Sequence, residues 1–516
     1  MSTGIKSGMI DTMSDLGKMS YGNFINGKWV KASSNETFTS LNPANLNLSL
    51  GTFASSNKKD VDTAIESAHN AFKSWRKTPA PVRAELILKA GYLLETRKEE
   101  LAQIMVQEMG KVIKEARGDV QEAIDMAKYM AGEGRRLTGQ TVPSELPNKF
   151  AMCVRSPMGV VGIITPWNFP VAIPSWKIFP ALVAGNTVVI KPASDTPLCA
   201  IKFVEILAEA GLPDGVINLV TGSGSVVGNA IVDNPLVKAV SITGSTDIGS
   251  KVASRCGELM KKISCELGGK NAICVMDDAD LELALEGALW GAFGTAGQRC
   301  TATSRIIVHE KIYQEFCHEF KAITASLSIG NGLDPDVAIG PVINRAQLES
   351  INRYVEIGKK EGAKLLYGGN ILTQGDYQLG CFHEPTIFMD VNSKMRIAQE
   401  EIFGPVTAIM PVANFTQALE VANSTEFGLS LSMYTKNVNK AFAAIEELEA
   451  GIVYINAPTI GAEIQLPFGG IKKTGNGHRE AGTTAIEQFT EWKTVYIDYS
   501  GRLQKAQIDS FESLDS

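Results

Sequence analysis

Apolar positions follow a helical period over one long stretch near the start of the chain. From Lys59 to about Arg135, apolar residues recur every three or four positions between charged ones, as in helices with one buried face. Before this stretch, Asn23–Ile25 and Gly27–Val30 are short apolar runs that predict a β-hairpin. Residues 1–20 are polar and predict a flexible tail.

Between about residues 153 and 275, short β-branched runs alternate with amphipathic stretches. Such repeats indicate a parallel sheet whose strands are joined by crossover helices, an α/β architecture. We predict helices at Ile201–Ala210 and Ile248–Ser254. The predicted strands are Val160–Thr165, Thr187–Lys191, Val216–Val220, Ala239–Thr243 and Lys262–Glu266.

A second alternating series, from Asn271 to about Ile471, predicts a further α/β unit. The β-rich segment Thr494–Tyr499 lies outside both series, and a strand of this kind often pairs with another element or with a subunit edge. Strands predicted in the second series include Arg305–Val308, Ala408–Val412 and Gly451–Ile455.

Length and composition narrow the class of protein. A chain of 516 residues is too long for one compact core, so two or three domains are expected. Its net charge of −7 comes without a basic stripe, which argues against nucleic-acid binding. The most apolar segment, residues 158–174, is interrupted by Pro166 and Pro170, which argues against a membrane span.

The eight cysteines are scattered without CxxC pairs or metal-ligand spacing. They predict reduced thiols in a cytoplasmic protein, with neither a disulfide framework nor a metal site. The first twenty residues also lack the basic start and apolar stretch of a secretory signal.

Cys300 and Glu266 are the candidate reacting groups. Both stand beside glycines, in GQRCT at 297–301 and ELGGK at 266–270. A thiolate attacks carbonyl carbons well, and a nearby carboxylate can activate water to hydrolyse the resulting thioester. Taken alone, each residue also fits an ordinary role, as an inert buried thiol or as a solvated charge at a strand end.

Two predicted strands end in loops with candidate ligand-binding groups. In TPWNFP at 165–170, Asn168 presents an amide where open α/β sheets bind ligands, and it could stabilise an oxyanion or serve as a structural turn residue. In KPAS at 191–194, Lys191 could bind ribose hydroxyls or a phosphate, or be a surface charge. Ser194 stands where an acidic residue would reject NADP.

Two further segments are weaker candidates. Thr243–Gly249 closes a strand and opens a helix, so its amides and hydroxyls could meet a pyrophosphate or simply cap the helix. In QEEIFGP at 399–405, a carboxylate could bind ribose hydroxyls while Phe403 packs on a flat ring. Composition alone indicates only a loop with a buried aromatic there.

Together these segments resemble the aldehyde dehydrogenase superfamily. By this resemblance Cys300 is the nucleophile, Glu266 is the general base, and Asn168 forms an oxyanion hole with the Cys300 backbone N–H. Lys177 and Glu480 match positions that orient the base and its proton path. The matching motifs, in the family's order over about residues 20–500, are TPWNFP (165–170), KPAS (191–194), GSTDIG (244–249), ELGGK (266–270), GQRC (297–300), EEIFGPV (400–406) and LPFGG (466–470).

The resemblance implies NAD or NADP as the cofactor. Lys191 and Glu401 would bind the adenosine-side and nicotinamide-side ribose hydroxyls, and Ser245 would bind a phosphate. The residues expected at the cofactor are Thr165, Pro166, Trp167, Lys191, Ser194, Gly244, Ser245, Gly249, Glu401 and Phe403.

The implied fold has a Rossmann-like cofactor domain, an α/β catalytic domain and a β-rich oligomerisation arm. A homo-oligomer, dimer or tetramer, is expected, with the arm strand added to a neighbour's sheet edge. The expected boundaries are 1–20 for the amino-terminal tail, 21–137 and 156–267 for the NAD(P)-binding domain, 268–472 for the catalytic domain, 138–155 and 485–502 for the arm, and 503–516 for the carboxy-terminal tail.

The expected substrate is a small aldehyde that contacts Arg299 and Thr301. Several superfamily branches that oxidise anionic aldehydes have an arginine just before the nucleophile, so Arg299 could pair with a distal carboxylate or phosphate. Equally, it could form a structural ion pair. Residues 164–219 and TATSR at 301–305 most resemble branches that oxidise α-ketoglutarate semialdehyde and related short semialdehydes.

The expected reaction is oxidation of such an aldehyde to the carboxylic acid through a cysteine thioester. One alternative is a broad-range detoxifying enzyme. Another is a non-catalytic member of the fold, against which the presence of Cys300, Glu266 and Asn168 argues. Transfer of the acyl group to coenzyme A is a third, and Glu266 argues against it because acylating branches generally lack that base.

Overall fold

A computed structural model of the chain describes residues 17–508. Of the two predicted tails, residues 1–16 and 509–516 lie outside the described residues. Ser20, which the sequence assigned to the flexible tail, pairs with Thr52 in a parallel ladder, so this residue belongs to a sheet.

The amino-terminal strands form a small sheet and a hairpin. The hairpin predicted at residues 23–30 is confirmed, with Asn26 and Gly27 at its tip at φ of 52° and 74°. Asparagine and glycine adopt positive φ readily, which is why this pair makes a tight turn. The strands are β1 Ser20–Tyr21, β2 Asn23–Ile25, β3 Lys28–Val30, β4 Thr37–Asn42 and β5 Asn45–Ala54.

The predicted helical stretch is confirmed as four consecutive helices. The first begins at Asn57, whose side chain caps the helix while Asp60 bonds back to the Asn57 backbone N–H. The third ends at Gly110, which has a left-handed φ of 91°. Their bounds are α1 Lys58–Trp75, α2 Ala80–Thr96, α3 Lys98–Met109 and α4 Ile113–Glu133.

A seven-stranded sheet, counted within residues 17–508, follows from the first alternating series. Each strand predicted there is found, with ends that differ by at most two residues. The elements are β6 Gln140–Pro143, β7 Lys149–Pro157, β8 Val160–Ile164, α5 Ala172–Val183, β9 Thr187–Lys191, α6 Pro197–Glu209, β10 Ile217–Leu219, α7 Asn229–Asp233, β11 Val237–Thr243, α8 Thr246–Glu258 and β12 Lys262–Glu266.

The order in this sheet is β12-β11-β8-β9-β10-β2-β3. The first five of these strands are parallel, and the hairpin extends the sheet in antiparallel fashion. Ile164 pairs with Lys191, and Thr243 pairs with Glu266. The carboxyl ends of four strands therefore lie in a row along one edge, where α/β sheets bind ligands.

The second series forms another sheet of seven strands within the described part of the chain. Its order is β15-β16-β17-β14-β13-β19-β20, and only β15 is antiparallel to its neighbour. The remaining elements are β13 Asn271–Val275, α9 Leu281–Phe293, β14 Thr303–His309, α10 Tyr313–Ala325, α11 Arg345–Lys360, β15 Lys364–Tyr367, β16 Thr386–Met389, α12 Arg396–Gln399, β17 Val406–Val412, α13 Phe415–Asn423, β18 Phe427–Gly428, β19 Ser430–Tyr434, α14 Val438–Glu447, β20 Ile452–Ile455, β21 Ile471–Lys472, α15 Ala485–Gln488 and β22 Thr490–Asp498.

The β-rich tail strand β22 pairs along its whole length with β7, and β7 pairs with β6. These strands form a sheet of their own, separate from the two large ones. Asn186 connects the ends of β7 and β22 to the first of the two seven-stranded sheets. Its buried side-chain oxygen accepts the N–H groups of Met158 and Gly159, and its Nδ2 donates to the carbonyl of Phe489. Each large sheet has its own apolar core. Within residues 17–508, no helix is long and apolar enough to cross a membrane.

Candidate active site

Cys300 lies in the short connection between the 3₁₀ turn Gly294–Gly297 and β14. Its carbonyl accepts a hydrogen bond from Nδ2 of Asn271 at 2.7 Å, and the same amide binds the carbonyl of Ala302 at 3.0 Å. A side chain at Gly269 would stand 2.5 Å from the Cys300 carbonyl oxygen. The glycine loop that follows Glu266 is therefore packed directly against the backbone of Cys300.

Glu266 ends β12 and points into the same cleft. Its side chain is almost fully buried, and Oε1 has no hydrogen-bond partner among the described residues. Gly469 packs close to that oxygen, since a Cβ at Gly469 would lie 2.6 Å from it. An unpartnered buried carboxylate oxygen is costly, and it is a feature of groups that bind something else in function.

Glu401 contacts the glycine loop that follows Glu266. Its Oε1 accepts the backbone N–H of Gly269 at 2.9 Å. Any side chain at Gly268 would overlap its other carboxylate oxygen. The two glycines of ELGGK thus let one loop contact both Cys300 and Glu401.

Burial dominates the titration of all three groups. Burial, then the charges of Glu401 and Glu266, raise the pKa of the Cys300 thiol to about 12. Burial raises the pKa of Glu401 to about 7, opposed by the Gly269 N–H and by Lys270. Burial and the charge of Glu480 hold the pKa of Glu266 well above its usual range, opposed by Lys177 and Arg479. With its pKa raised this far, the Cys300 thiol is protonated at neutral pH in the cofactor-free protein.

Beneath Glu266 lies a buried ion pair. Lys177 Nζ contacts the Glu480 carboxylate and donates to Ser241 Oγ at 3.0 Å. Both charged side chains are almost completely buried. The structure therefore brings the predicted pair Lys177 and Glu480 next to the predicted base.

Asn168 lies close to the nucleophile. Its buried Nδ2 donates to the carbonyl of Gln298 at 3.1 Å, two residues before Cys300. Thr301 is largely buried, and its backbone N–H opposes the rise in the pKa of Cys300 by hydrogen bonding to the thiol. The loop TPWNFP and the loop GQRCT are thus joined through one amide.

The remaining residues of TPWNFP and EEIFGP form one wall of the cleft. Trp167 and Phe403 meet edge to face, with ring centroids 5.3 Å apart. Thr165 is buried, and its N–H donates to the carbonyl of Lys191 at 3.1 Å. Pro166 is half-buried beside them.

A second part of the cleft lies at the ends of β9 and β11. Lys191 Nζ is buried and donates to the carbonyl of Pro192 at 2.7 Å, and burial lowers its pKa to about 8. Ser194 Oγ donates to the carbonyl of Gly222 at 3.0 Å. Beyond them is a cavity of about 510 Å³ with a mainly apolar lining that includes Ile164, Ile242 and Val252.

The helix α8 begins at this cavity. Ser245 is exposed and caps the helix through its Oγ, which accepts the N–H of Ile248 at 3.5 Å. Gly244 donates its N–H to the carbonyl of Glu266 at 3.1 Å. A side chain at Gly249 would overlap Leu267, so glycine permits close packing of α8 against the end of β12.

The side chain of Arg299 lies in a largely buried hydrogen-bond network. Its Nη2 donates to Glu115 Oε1 at 3.1 Å and its Nε donates to Thr295 Oγ1 at 2.9 Å. Its guanidinium carbon lies 5.3 Å from the ring centroid of Phe169. Of the two roles left open by the sequence, the ion pair is the one formed in this structure.

The sequence profile of the aldehyde dehydrogenase family matches residues 29–495. The chain belongs to the aldehyde dehydrogenase family. It is therefore an NAD(P)-dependent oxidoreductase that converts an aldehyde to the carboxylic acid.

Individual relatives of the dehydrogenase agree with this assignment. The chain is 46% identical over 477 residues to an alpha-ketoglutaric semialdehyde dehydrogenase of Bacillus subtilis, covering 92% of this chain and 98% of that one. It is 42% identical over 478 residues to an alpha-ketoglutarate semialdehyde dehydrogenase of Haloferax volcanii, covering 92% and 99%. Betaine aldehyde dehydrogenase of Staphylococcus aureus, solved with NAD+, matches with a TM-score of 0.92 at 34% identity, covering 94% and 95%.

The cleft of the dehydrogenase fits the nicotinamide cofactor. The apolar cavity beside α8 can take a flat base, and Lys191 offers a buried cation one strand away. Glu401 can accept hydrogen bonds from hydroxyl groups at the end of the cleft nearer Cys300. The cavity and Lys191 lie along the row of strand ends where dinucleotides bind in α/β sheets.

Sequence reasoning did not identify Glu115, Ser241, Asn271 or Gln298, although each contacts a candidate site residue. Ser241 had a signal, because a polar residue inside a buried strand usually has a polar partner. Glu115 had a weaker one. Glu115 is the first of three acidic residues, at 115, 119 and 122, whose spacing places them on one face of a helix.

Replacing Glu401 with glutamine is expected to speed alkylation of Cys300 in the cofactor-free dehydrogenase. Removing a negative charge beside the thiol makes the thiolate less unfavourable, so the pKa of Cys300 falls. A fall of one unit gives about tenfold more thiolate at pH 8. Because the pKa of Glu401 is about 7, the gain should disappear below pH 6, where Glu401 is already protonated.

The rate is measured by mass spectrometry of the Cys300 peptide during iodoacetamide treatment from pH 5.5 to 9. Glu400→Gln is the matched control, since Glu400 bonds to Arg396 and Tyr354 instead. A ratio between Glu401→Gln and wild type that stays constant with pH would contradict the electrostatic explanation.

Proposed function

We propose that Cys300 is the nucleophile, that Glu266 activates the hydrolytic water, and that Asn168 stabilises the oxyanion. The observation that carries this proposal is that the half-buried thiol lies close enough to Glu266 for the charge of that carboxylate to raise its pKa, while the buried Oε1 of Glu266 has no hydrogen-bond partner within residues 17–508. A nucleophile and a base in one poorly hydrated cleft are the two groups that thioester formation and hydrolysis require.

The chemistry then follows from the side chains. The Cys300 thiol first loses its proton to solvent, the resulting thiolate attacks the aldehyde carbon, and the negative charge develops on the former carbonyl oxygen. The Asn168 amide has two N–H donors, of which one already binds Gln298, so the other can bind this oxygen. NAD(P), when bound, would supply the hydride acceptor, and the oxidised substrate would remain on Cys300 as a thioester.

Glu266 is the group proposed to activate water for hydrolysis of the thioester. Its raised pKa makes the ionised carboxylate a stronger base toward water than an ordinary glutamate. We propose that Lys177 and Glu480 orient it and carry its proton away, since their buried pair adjoins it.

We propose the remaining cofactor contacts on the same grounds. Lys191 and Glu401 would bind the two riboses, and Ser194 would tolerate a 2′-phosphate. The N-terminal end of α8, with Gly244, Ser245 and Gly249, would face the pyrophosphate, where the helix dipole favours an anion. The aromatic pair Trp167 and Phe403, with Thr165 and Pro166, would enclose the nicotinamide end.

The domain boundaries are part of the same proposal. The sheet containing β8–β12 supports a cofactor-binding domain of residues 21–137 and 156–267. The sheet beginning at β13 supports a catalytic domain of residues 268–472, and the β22-β7-β6 sheet supports an arm of 138–155 and 485–502.

Two variants separate the proposed roles of nucleophile and base. Cys300→Ala is expected to abolish aldehyde oxidation, because no thioester can form. Glu266→Gln should still give a burst of reduced cofactor at 340 nm, followed by turnover roughly 10²-fold slower, because acylation proceeds and hydrolysis does not. Retained oxidation in Cys300→Ala would contradict the first role, and an equal loss of burst and turnover in Glu266→Gln would contradict the second.

We propose a short semialdehyde with a distal acid group as the substrate. The semialdehyde dehydrogenases among the relatives support this class. Arg299 is the proposed anchor, with the Thr301 side chain beside it. The two bonds that hold Arg299 use Nε and Nη2, so we assign Nη1 to the substrate's carboxylate. A broad-range dehydrogenase is the alternative.

A panel of aldehydes, each with NAD and with NADP, tests the substrate class. Succinate semialdehyde and α-ketoglutarate semialdehyde are expected to exceed hexanal and benzaldehyde in kcat/KM. Arg299→Ala should raise KM for the acid-bearing aldehydes about tenfold or more and leave KM for propanal nearly unchanged, because only the former lose an ion pair. A flat profile in the wild type would favour the broad-range alternative.

We propose that the dehydrogenase is a homo-oligomer held by the arm, and that it is cytoplasmic. The free edge of β22 and its exposed apolar side chains, including Trp492 and Tyr496, support association. The edge strand β20 and the exposed Phe442 on α14 offer a matching surface. All eight cysteines, which lie within residues 17–508, are free, as in a reducing compartment.

The variant Trp492→Asp/Tyr496→Asp should shift the sedimentation coefficient from that of a dimer or tetramer toward that of a 55.5 kDa monomer. Charges on the proposed contact face make burial of that face unfavourable. Tyr92→Asp, at an exposed site on α2, is the control. A wild type that sediments as a monomer would contradict the assembly itself, whereas an unchanged oligomeric double variant would contradict the arm's role.

A further inference from the structure

The backbone just before Cys300 adopts an unfavourable conformation. Thr295 and Ala296 have φ of 55° and 52°, followed by Gly297 at 68°. Residues with a Cβ rarely adopt left-handed φ, and two such residues in succession are rarer still. Such a turn persists only where its surroundings hold it.

Glu115, in the first turn of α4, binds this turn directly. Its Oε1 and Oε2 accept the backbone N–H of Thr295 at 2.8 and 3.0 Å, and Oε2 accepts the Thr295 hydroxyl at 3.2 Å. Oε1 also accepts Nη2 of Arg299 at 3.1 Å. Arg299 in turn donates Nε to the Thr295 hydroxyl at 2.9 Å, so Glu115, Thr295 and Arg299 are each hydrogen-bonded to the other two. One largely buried carboxylate thus fixes both ends of a five-residue segment that leads into Cys300.

The same segment carries the contact to the oxyanion-binding amide. Gln298 donates its Nε2 to the Thr295 carbonyl at 3.2 Å, and its own carbonyl accepts Asn168 Nδ2 at 3.1 Å. On the other loop, the ring of Phe169, next to Asn168, packs against the Arg299 guanidinium at 5.3 Å and Lys111 Nζ at 3.9 Å. A shift of residues 295–299 would therefore move Cys300 and Asn168 relative to each other.

We propose that Glu115 is a positioning residue that holds the left-handed turn 295–297 and thereby sets the Cys300 thiol against Asn168. The proposal rests on the proposed roles of Cys300 and Asn168. Glu115 acts through backbone geometry: the carboxylates with the largest effect on the thiol are Glu401 and Glu266. Misplacement of a reacting group by about 1 Å can cost about 10²-fold in rate.

The test compares Glu115→Ala, Glu115→Gln and the double variant Glu115→Ala/Ala296→Gly in the full-length enzyme. The readouts are the burst rate constant of cofactor reduction and the KM for the cofactor. Glu115→Ala should slow the burst about tenfold or more and leave the cofactor KM unchanged. Glu115→Gln should stay within about threefold of wild type, because its amide oxygen still accepts the Thr295 N–H.

The glycine variant tests the mechanism of the effect. Glycine adopts left-handed φ without steric cost, so Ala296→Gly should restore a substantial part of the burst rate lost in Glu115→Ala. A structural role unrelated to the turn would give no such rescue, and that result would overturn the proposal. Glu99→Ala is the control. It removes an exposed ion pair between Glu99 on α3 and Arg117 on α4, the helix that carries Glu115.

Two further measurements keep the outcome decisive. If Glu115→Ala does not fold, Glu115→Gln is compared with Glu115→Asp. Positioning predicts that glutamine, which keeps the length, preserves the burst rate, whereas aspartate, which keeps only the charge, loses it. Cys300→Ala is assayed in parallel: activity there refutes the proposed function, whereas an inactive Cys300→Ala with a wild-type burst in Glu115→Ala refutes this inference alone.

Discussion

Three acidic groups share one poorly hydrated cleft, and the cost of ionising each of them in that buried position constrains the rest of the site. Burial is the largest influence on the pKa of Cys300, Glu266 and Glu401, and the charge of either carboxylate raises the pKa of the thiol further. All three cannot be ionised together at neutral pH at low cost. The protonated thiol of the cofactor-free state follows first from burial and then from the charges of the two carboxylates.

The fold brings these groups together at the junction of its two large sheets. Glu266 ends β12 in one sheet, and Asn271 begins β13 in the other, only five positions later. The glycines between them allow the connection to touch the Cys300 carbonyl and the Glu401 carboxylate at once. Asn271 then fixes the Cys300 backbone by a bond of 2.7 Å. A side chain at Gly268 would overlap the Glu401 carboxylate, and one at Gly269 would overlap the Cys300 carbonyl oxygen.

The sequence predicted the elements better than the contacts between them. Periodicity found the hairpin, the helical stretch and the parallel strands, because these patterns are local. It could not find the orientation of Arg299, whose partner Glu115 is 184 positions earlier. The closeness of Cys300 and Glu266 came from resemblance to a family, since no spacing rule brings two strand ends together across separate sheets. The left-handed turn at Thr295 and Ala296 had no sequence signal, because neither residue type favours positive φ.

The buried pair beneath Glu266 resolves a conflicting requirement on this residue in its proposed role as the base. A general base must take a proton from water and then release it in every turnover, so its proton affinity can be neither too low nor too high. The negative charge of Glu480 raises the pKa of Glu266, whereas Lys177 and Arg479 lower it. Lys177 contacts Glu480 directly and donates to Ser241, so its charge is held in place by the strand β11 and by the segment that carries Glu480. The proton affinity of Glu266 is thus set by a balance of buried charges, and loss of Lys177 or Glu480 would leave the other uncompensated next to Glu266.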